Sequence, residues 1–243
     1  YVNLDDTYKV SDYTFSSSGN IEKSDLDLSK PFKNSFLKDE IKKIYFSNLK
    51  FKSIFSPSNI TSTLDGKYSL NNTDFLKINL ENSIKNNITN LKVNLDYKNN
   101  FEINFINFKK SRDTIANFSL DLKKKKKNIE NNNFKFEEDK NLIEINGLKF
   151  MKNEFLSFKN INVVTKNNDF FIQNKKKILI KGDKFDATNL AKFFNIKSGD
   201  NKFKKINSNI EIDFKNILAP MSEKLKNSLN PLSSKGPLCI GLL

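Results

Sequence analysis

Apolar and polar residues alternate with a period of two through most of this chain, and that pattern puts one apolar and one polar face on a β-strand. Leu76, Ile78 and Leu80 alternate with Lys77 and Asn79. Leu91, Val93, Leu95 and Tyr97 alternate with Lys92, Asn94 and Asp96. Phe101, Ile103 and Phe105 continue after Asn99-Asn100, which predicts a hairpin with the preceding run. The pattern returns at Phe118, Leu120 and Leu122, then at Phe134 and Phe136. Leu142, Ile143 and Ile145 lead through Gly147 to Leu148 and Phe150. Ile161 and Val163, Phe170 and Ile172, and Ile178 and Ile180 extend it. Ile210, Ile212 and Phe214 form a late strand; Leu49, Phe51 and residues 60–64 form early ones.

The runs are short, separated by Asn, Lys, Asp and Gly, and recur roughly every 8–15 residues, as in an all-β meander. A two-sheet sandwich and one long curved sheet both satisfy the alternation. Residues 39–44 fit helix or strand. Residues 1–35 alternate weakly and read as two strands split at residues 16–20. One or two short helices are expected near the C-terminal end. Asp186 is placed to cap one over residues 187–195, and Pro220 to start another through 227.

Composition narrows the chemistry. There is no His among 243 residues, so imidazole-based triads, dyads and metal ligation are excluded. The 23 Phe argue for a folded chain despite only 37% hydrophobic residues. The net charge of +14 invites a nucleic-acid reading, but Arg112 is the only Arg and base recognition favours the Arg fork. With 38 Asn beside the many Lys, Ile and Phe, the basic balance reflects an AT-rich coding sequence, and no nucleic-acid partner is expected. The dense run at residues 123–127 reads as a solvated hairpin tip, or as attraction to an anionic membrane worth about 1 kcal/mol per Lys. Cys239 stands alone, so no internal disulfide framework exists. A start at Tyr1 and the absence of an 18-residue apolar stretch suggest an internal piece of a longer protein. Residues 228–243 lose the charge pattern and read as an irregular tail, either a linker or the product of truncation or a shifted frame.

Individual motifs point away from catalysis. Glu137, Glu138 and Asp139 read as a charged turn, and no metal site is expected. Gly182-Asp183 and Gly199-Asp200 read as turns without phosphate-loop spacing. SxxK occurs at residues 35–38 and 47–50 without its companion motifs. The Phe surplus either fills a β core or lines an open apolar groove. Burial of a sixteen-carbon acyl chain in such a groove would gain on the order of 12 kcal/mol before ordering costs.

The segment ILIKGDKFDATNLAKFFN, residues 178–195, resembles the strand–Gly–x–x–Phe–Asp–helix segment of AsmA-like proteins, especially their YhdP-type branch. Residues 64–82 and 115–122 have the texture of the central region of such proteins. The resemblance implies a mainly β fold: an elongated, curved antiparallel sheet forming an open gutter with an apolar concave face. It implies a periplasmic protein, tethered to the inner membrane through a segment not in this chain. The implied work is phospholipid transport between inner and outer membranes and envelope integrity, without enzymatic activity or cofactor. The β-rich region is expected over residues 39–227, with residues 1–38 as N-terminal strands or linker. The expected lining for phospholipid acyl chains is Leu76, Ile78, Leu80, Leu91, Val93, Leu95, Phe101, Ile103, Phe105, Phe118, Leu120, Leu122, Ile178 and Ile180. Membrane surfaces would be met through the rest of the protein. The alternative is a structural or adhesive β-domain with a closed core and no lipid ligand.

Overall fold

A computed structural model describes residues 1–33, 36–37, 39–152, 154–189 and 209–219. A short ribbon of β1 (Val2–Leu4) and β2 (Val10–Tyr13) leads into one large sheet. Its strands are β3 (Phe15–Phe32), β4 (Ile41–Ser56), β5 (Asn59–Ser69), β6 (Leu76–Lys85) and β7 (Ile88–Tyr97). They continue as β10 (Ala116–Lys125), β11 (Asn128–Glu138), β12 (Asn141–Met151), β14 (Asn160–Val164), β15 (Asp169–Asn174), β16 (Ile178–Asp186) and β17 (Ile210–Leu218). A short β13 (Glu154–Ser157) pairs with the far end of β12. The spatial order follows chain order from β3 to β17, and the sheet is curved but does not close. The structure therefore chooses the single curved sheet over the two-sheet sandwich.

Two local expectations change and one open alternative is resolved. β3 runs unbroken through residues 16–20, because Ser16, Ser17, Ser18, Gly19 and Asn20 all pair with β4. Residues 41–44 are strand. Gly182 lies inside β16 rather than in a turn. A Cβ there would sit 2.2 Å from the Asp169 carbonyl oxygen and 2.4 Å from Phe170 Cβ, so only glycine allows the close crossing at this bulge. The last pair, β16–β17, is parallel and not antiparallel. A parallel pair needs a long connection, and residues 187–209 separate the two strands in sequence. Both expected helices fall mostly or wholly outside the described residues, as do Gly199-Asp200 and the tail at 228–243.

The predicted hairpin between β7 and residues 101–105 does not form. The partner of β7 on that side is β10, with Phe118 opposite Leu95 and Leu120 opposite Val93. The segment between them makes a strap across the apolar face: β8 (Phe101–Ile103), a 3-10 turn (Asn104–Ile106) and β9 (Phe108–Lys110). Aromatic burial explains the departure. Phe101 stacks on Phe136 at 5.2 Å and meets Phe118 edge-on at 5.4 Å, while Phe108 meets Phe136 edge-on at 5.4 Å. Such pairs add about 0.5–1.5 kcal/mol each beyond area burial. In a regular hairpin Phe101 would have stood beside the strip instead of covering it.

Polar locks hold both ends of the strap. On one side, Glu102 N–H donates to the Phe36 carbonyl at 3.0 Å, and Arg112 pairs with Asp39 at 2.6 Å. On the other, Asn107 adopts the left-handed conformation and donates from Nδ2 to the Asp186 carboxylate at 3.0 Å. Asp186 is fully buried and also accepts from the Thr188 N–H (3.1 Å) and hydroxyl (2.6 Å) and from Asn167 (3.3 Å). Asn168, also buried, links the backbone of Asp186 to the Ile106 carbonyl. Burial raises the Asp186 carboxyl, but the hydrogen bonds from Thr188, Asn107 and Asn167 outweigh it and hold the group below its ordinary range. Its stabilising effect is therefore present above the unfolded carboxylate range and lost as pH falls through the folded value. Asp186→Ala is expected to destabilise the chain by about 2–4 kcal/mol at neutral pH, because buried donors lose their acceptor. The loss should shrink in acid; thermal melts of both proteins from pH 7 to pH 3 check this.

Candidate functional site

Strand register makes one continuous apolar row. Phe51, Leu64, Leu80, Val93, Leu120, Phe134, Ile145, Ile161, Ile172, Ile180 and Ile212 stand directly opposite one another from β4 to β17. Directly paired residues share a face, so these side chains form a strip perpendicular to the strands. Ten strand-to-strand steps of about 4.8 Å make it about 48 Å long. Every member of the row is only partly buried. Phe134, Ile161, Ile172 and Ile180 pack against the core cluster that includes the strap residues, without being fully buried by it.

Two bulged positions keep the parity intact. Gly147, with φ of +65°, shifts the alternation so that Leu148 and Phe150 stay on the same face as Ile143 and Ile145. Asn48, with φ of +52°, does the same between Phe46 and Phe51 on β4. Without these flips, the side chains beyond them would turn to the opposite face.

The row toward the strap is Ile78, Leu95, Phe118, Phe136, Ile143, Val163 and Phe170. From Phe136 to Phe170 it is buried, packed with Phe101, Ile106 and Phe108 of the strap. Of the sequence-predicted lining, Leu76, Ile78, Leu80, Leu91, Val93, Leu95, Phe118, Leu120, Leu122, Ile178 and Ile180 lie on this apolar face. Phe101, Ile103 and Phe105 belong to the strap, with Phe105 beside Phe185 at 5.9 Å. Phe51, Leu64, Phe134, Ile145, Ile161, Ile172 and Ile212 complete the strip and were not singled out by sequence. Their signal was the same alternation; what was missing was the cross-strand register.

The strap side also holds the buried charges. Lys110, 2% exposed, donates from Nζ to the carbonyls of Lys98 (3.0 Å), Ser111 (2.7 Å) and Thr114 (2.6 Å). Burial pushes its ammonium below the usual lysine range, partly offset by Glu138 and Asp113. Glu138 departs from the exposed-turn expectation: it points inward and accepts from the Thr114 hydroxyl. Glu137 does pair outward with Lys135 at 2.7 Å, and Asp139 takes the left-handed turn position. Among the described residues, no group of three or more acidic or Cys side chains is placed to hold a metal ion. All of these polar contacts join protein groups to each other, which suits a structural clasp.

The opposite face is polar and cross-linked. Ser119 donates to Asn94 (2.6 Å), Asn133 to Asn146 (2.8 Å) and Asn146 to Asn160 (2.9 Å). A depression of about 560 Å³ lies there between Asp65, Lys67, Lys77, Asn79, Asn94, Asp96 and Asn117. Its two lysines and two aspartates balance, and Asn117 is engaged with Asp96 at 3.3 Å. Its apolar side-chain lining is limited to Ile78 and Leu95, against eleven residues in the strip. The site is therefore assigned to the strip.

Comparison with known proteins gives no matching family model, no matching curated protein and no matching solved structure.

Two expectations follow. Asn131 sits on the apolar face between Leu122 and Leu148, 6% exposed, and its side-chain oxygen has no hydrogen-bond partner. A buried unsatisfied amide costs about 1–3 kcal/mol, so Asn131→Leu should raise the melting temperature and lengthen the adjacent apolar row. Tyr97, beneath the strap, has its phenol pushed up to about 12, by burial first and then by Asp39; burial likewise raises Tyr68. Unfolded phenols release protons near pH 10, so stability should fall as pH rises from about 10 toward 12. Tyr97→Phe should flatten that fall, measured by urea melts at stepped alkaline pH.

Proposed function

We propose that this chain is a lipid-binding β-sheet of an AsmA-like, YhdP-type envelope protein, holding phospholipid acyl chains on its apolar strip. The single observation that carries the reading is the half-buried apolar row from Phe51 to Ile212. Monomeric proteins rarely leave a long contiguous apolar surface without a partner for it. Lipid tails suit the strip because it is continuous and rich in flexible aliphatic groups. Within the same proposal, the protein sits in the periplasm, tethered to the inner membrane through another segment, and supports phospholipid movement between membranes. The role is one of binding and guiding, with no catalytic step and no cofactor.

The Gly182 crossing and the Asp186 lock explain physically why the Gly–x–x–Phe–Asp spacing is useful at the end of such a sheet. That supports the resemblance at those residues; the strip supports the lipid reading independently of it.

The test uses the full chain with a photoreactive amino acid at Val93, Leu120 or Ile161, and at the polar-face positions Lys92, Ser119 and Asn162 as controls. Expressed in Gram-negative cells and irradiated, strip positions should crosslink phospholipid and the controls should not. Crosslinks to a second copy of the chain, with a dimeric mass by light scattering and no lipid, would instead favour the structural reading, in which two strips cover each other. Lipid crosslinks confined to the polar face would invert the assignment.

A further inference from the structure

The strip has two unlike long sides. One is covered by the strap from Phe136 to Phe170. The other is formed by the hairpin turns after β4, β6, β10 and β12, and it is basic at its centre. Along β10, Phe118, Leu120, Leu122 and Lys124 occupy successive positions of the apolar face. Lys124 stands opposite Thr89 on β7 and Ile129 on β11, in a cross-strand row that also holds Ile60, Ile84 and Phe150. It is thus a cation on the apolar face itself, where that face meets solvent. Lys123, Lys125, Lys126 and Lys127 surround it, all exposed. Among the described residues, none of the five makes an ion pair, although other surface lysines such as Lys135 and Lys149 do. Lys126 takes the left-handed turn position, and the Lys127 carbonyl accepts the Lys152 N–H at 3.1 Å, which fastens the next hairpin and its lysine alongside.

We propose that the strip takes phospholipids whose heads carry a net negative charge, seated with the head on the Lys124 rim and the acyl chain on the Leu120 row. This rests on the lipid reading above and adds orientation and head-group selectivity to it. Two positions along a strand span about 6.7 Å, so Lys124 lies about 13 Å from Leu120. A chain lying over Leu120 can send its head to only one side, because Phe101 of the strap packs on Phe118 on the other. An ammonium is a compact point charge that binds a phosphate without needing a fixed fork geometry. Lys124 is the specificity-determining residue, and Lys123 and Lys125 to either side supply field.

The experiment measures binding of two tail-labelled, single-chain phospholipids below their micellar concentration, one with a phosphoglycerol head and one with a phosphocholine head. The wild-type chain should prefer the phosphoglycerol probe at low salt. Lys124→Glu should weaken that probe about tenfold or more and leave the phosphocholine probe within about twofold. Lys124→Gln should fall between, and Lys67→Glu, an equal charge change on the polar face, should affect neither probe. Circular dichroism establishes that each variant is folded. Inorganic phosphate at matched ionic strength should not displace the probe; displacement would mean a free-anion site and overturn the proposal. Equal weakening by Lys124→Glu and Lys67→Glu would reduce the effect to net charge and overturn it too. An effect of Lys124→Glu on anionic vesicles but not on the monomeric probe would reassign the rim to membrane-surface contact. If both probes bind wild type and Lys124→Glu alike, the head-group assignment falls while the strip survives. If neither probe binds, the lipid reading itself falls.

Discussion

Cross-strand register is the constraint on which the rest of this molecule depends. Each backbone ladder fixes which residue of one strand faces which residue of the next. Here the ladders place Leu80 against Val93, Val93 against Leu120, Leu120 against Phe134, and so on to Ile212. A one-residue slip at any ladder would turn every later side chain over and cut the strip. The exceptions are instructive: where the alternation in sequence breaks, as at Asn48 and Gly147, a left-handed residue absorbs the break and the face is kept. The polar face gains from the same register. Asn94 meets Ser119, and Asn133, Asn146 and Asn160 meet one another, so hydrogen bonds cross the strands without like-charge repulsion. The abundance of Asn thus has a structural use, whatever its origin in coding composition.

The strap turns a symmetric sheet face into a sided one. It uses the largest side chains available, Phe101 and Phe108 over Phe136, and closes with groups that are costly to bury, Lys110, Glu138 and Asp186. Those groups are tolerated because each has hydrogen-bond partners: three carbonyls for Lys110, the Thr114 hydroxyl for Glu138, and donors from three residues for Asp186. Polar anchoring also gives the strap one position, which apolar contact alone would specify less well. A strap on one long side leaves the lysine-bearing hairpins as the open side, and the proposed polarity of a bound lipid follows from that asymmetry.

Both outer strands remain without a partner on one side among the described residues. Along β3, Lys23, Asp25, Asp27 and Lys30 with Pro31 blunt the edge against indiscriminate pairing. The polar edge contrasts with the apolar strip a few ångströms away, so association through the face and association through the edge are governed by different chemistry.

Much of the fold was legible before any coordinates. Period-two alternation with few glycines and prolines dictates strands, and the parity within each strand assigns Leu91, Val93 and Leu95, or Phe118, Leu120 and Leu122, to one face. That much follows from local geometry, because a strand offers only two faces. Residues 101–105 defeated the same logic: their alternation is as regular as that of β7, yet they leave the sheet. The decision there was tertiary. Phe101 stacks on Phe136 and meets Phe118 edge-on, and the Asn107–Asp186 contact that holds the strap joins residues 79 apart in sequence. Lys124 illustrates the same division. By itself it is one lysine in a run of five; continuation of β10 to Lys125 keeps it in parity with Leu122, and pairing with Thr89 and Ile129 places it at the rim. The sequence by itself determined that this chain would be a β-sheet with one greasy and one polar side. The tertiary structure decided that the greasy side is a single strip, closed along part of one edge and basic at the centre of the other, because pairing partners and long-range burial are set by the whole chain and not by its local period.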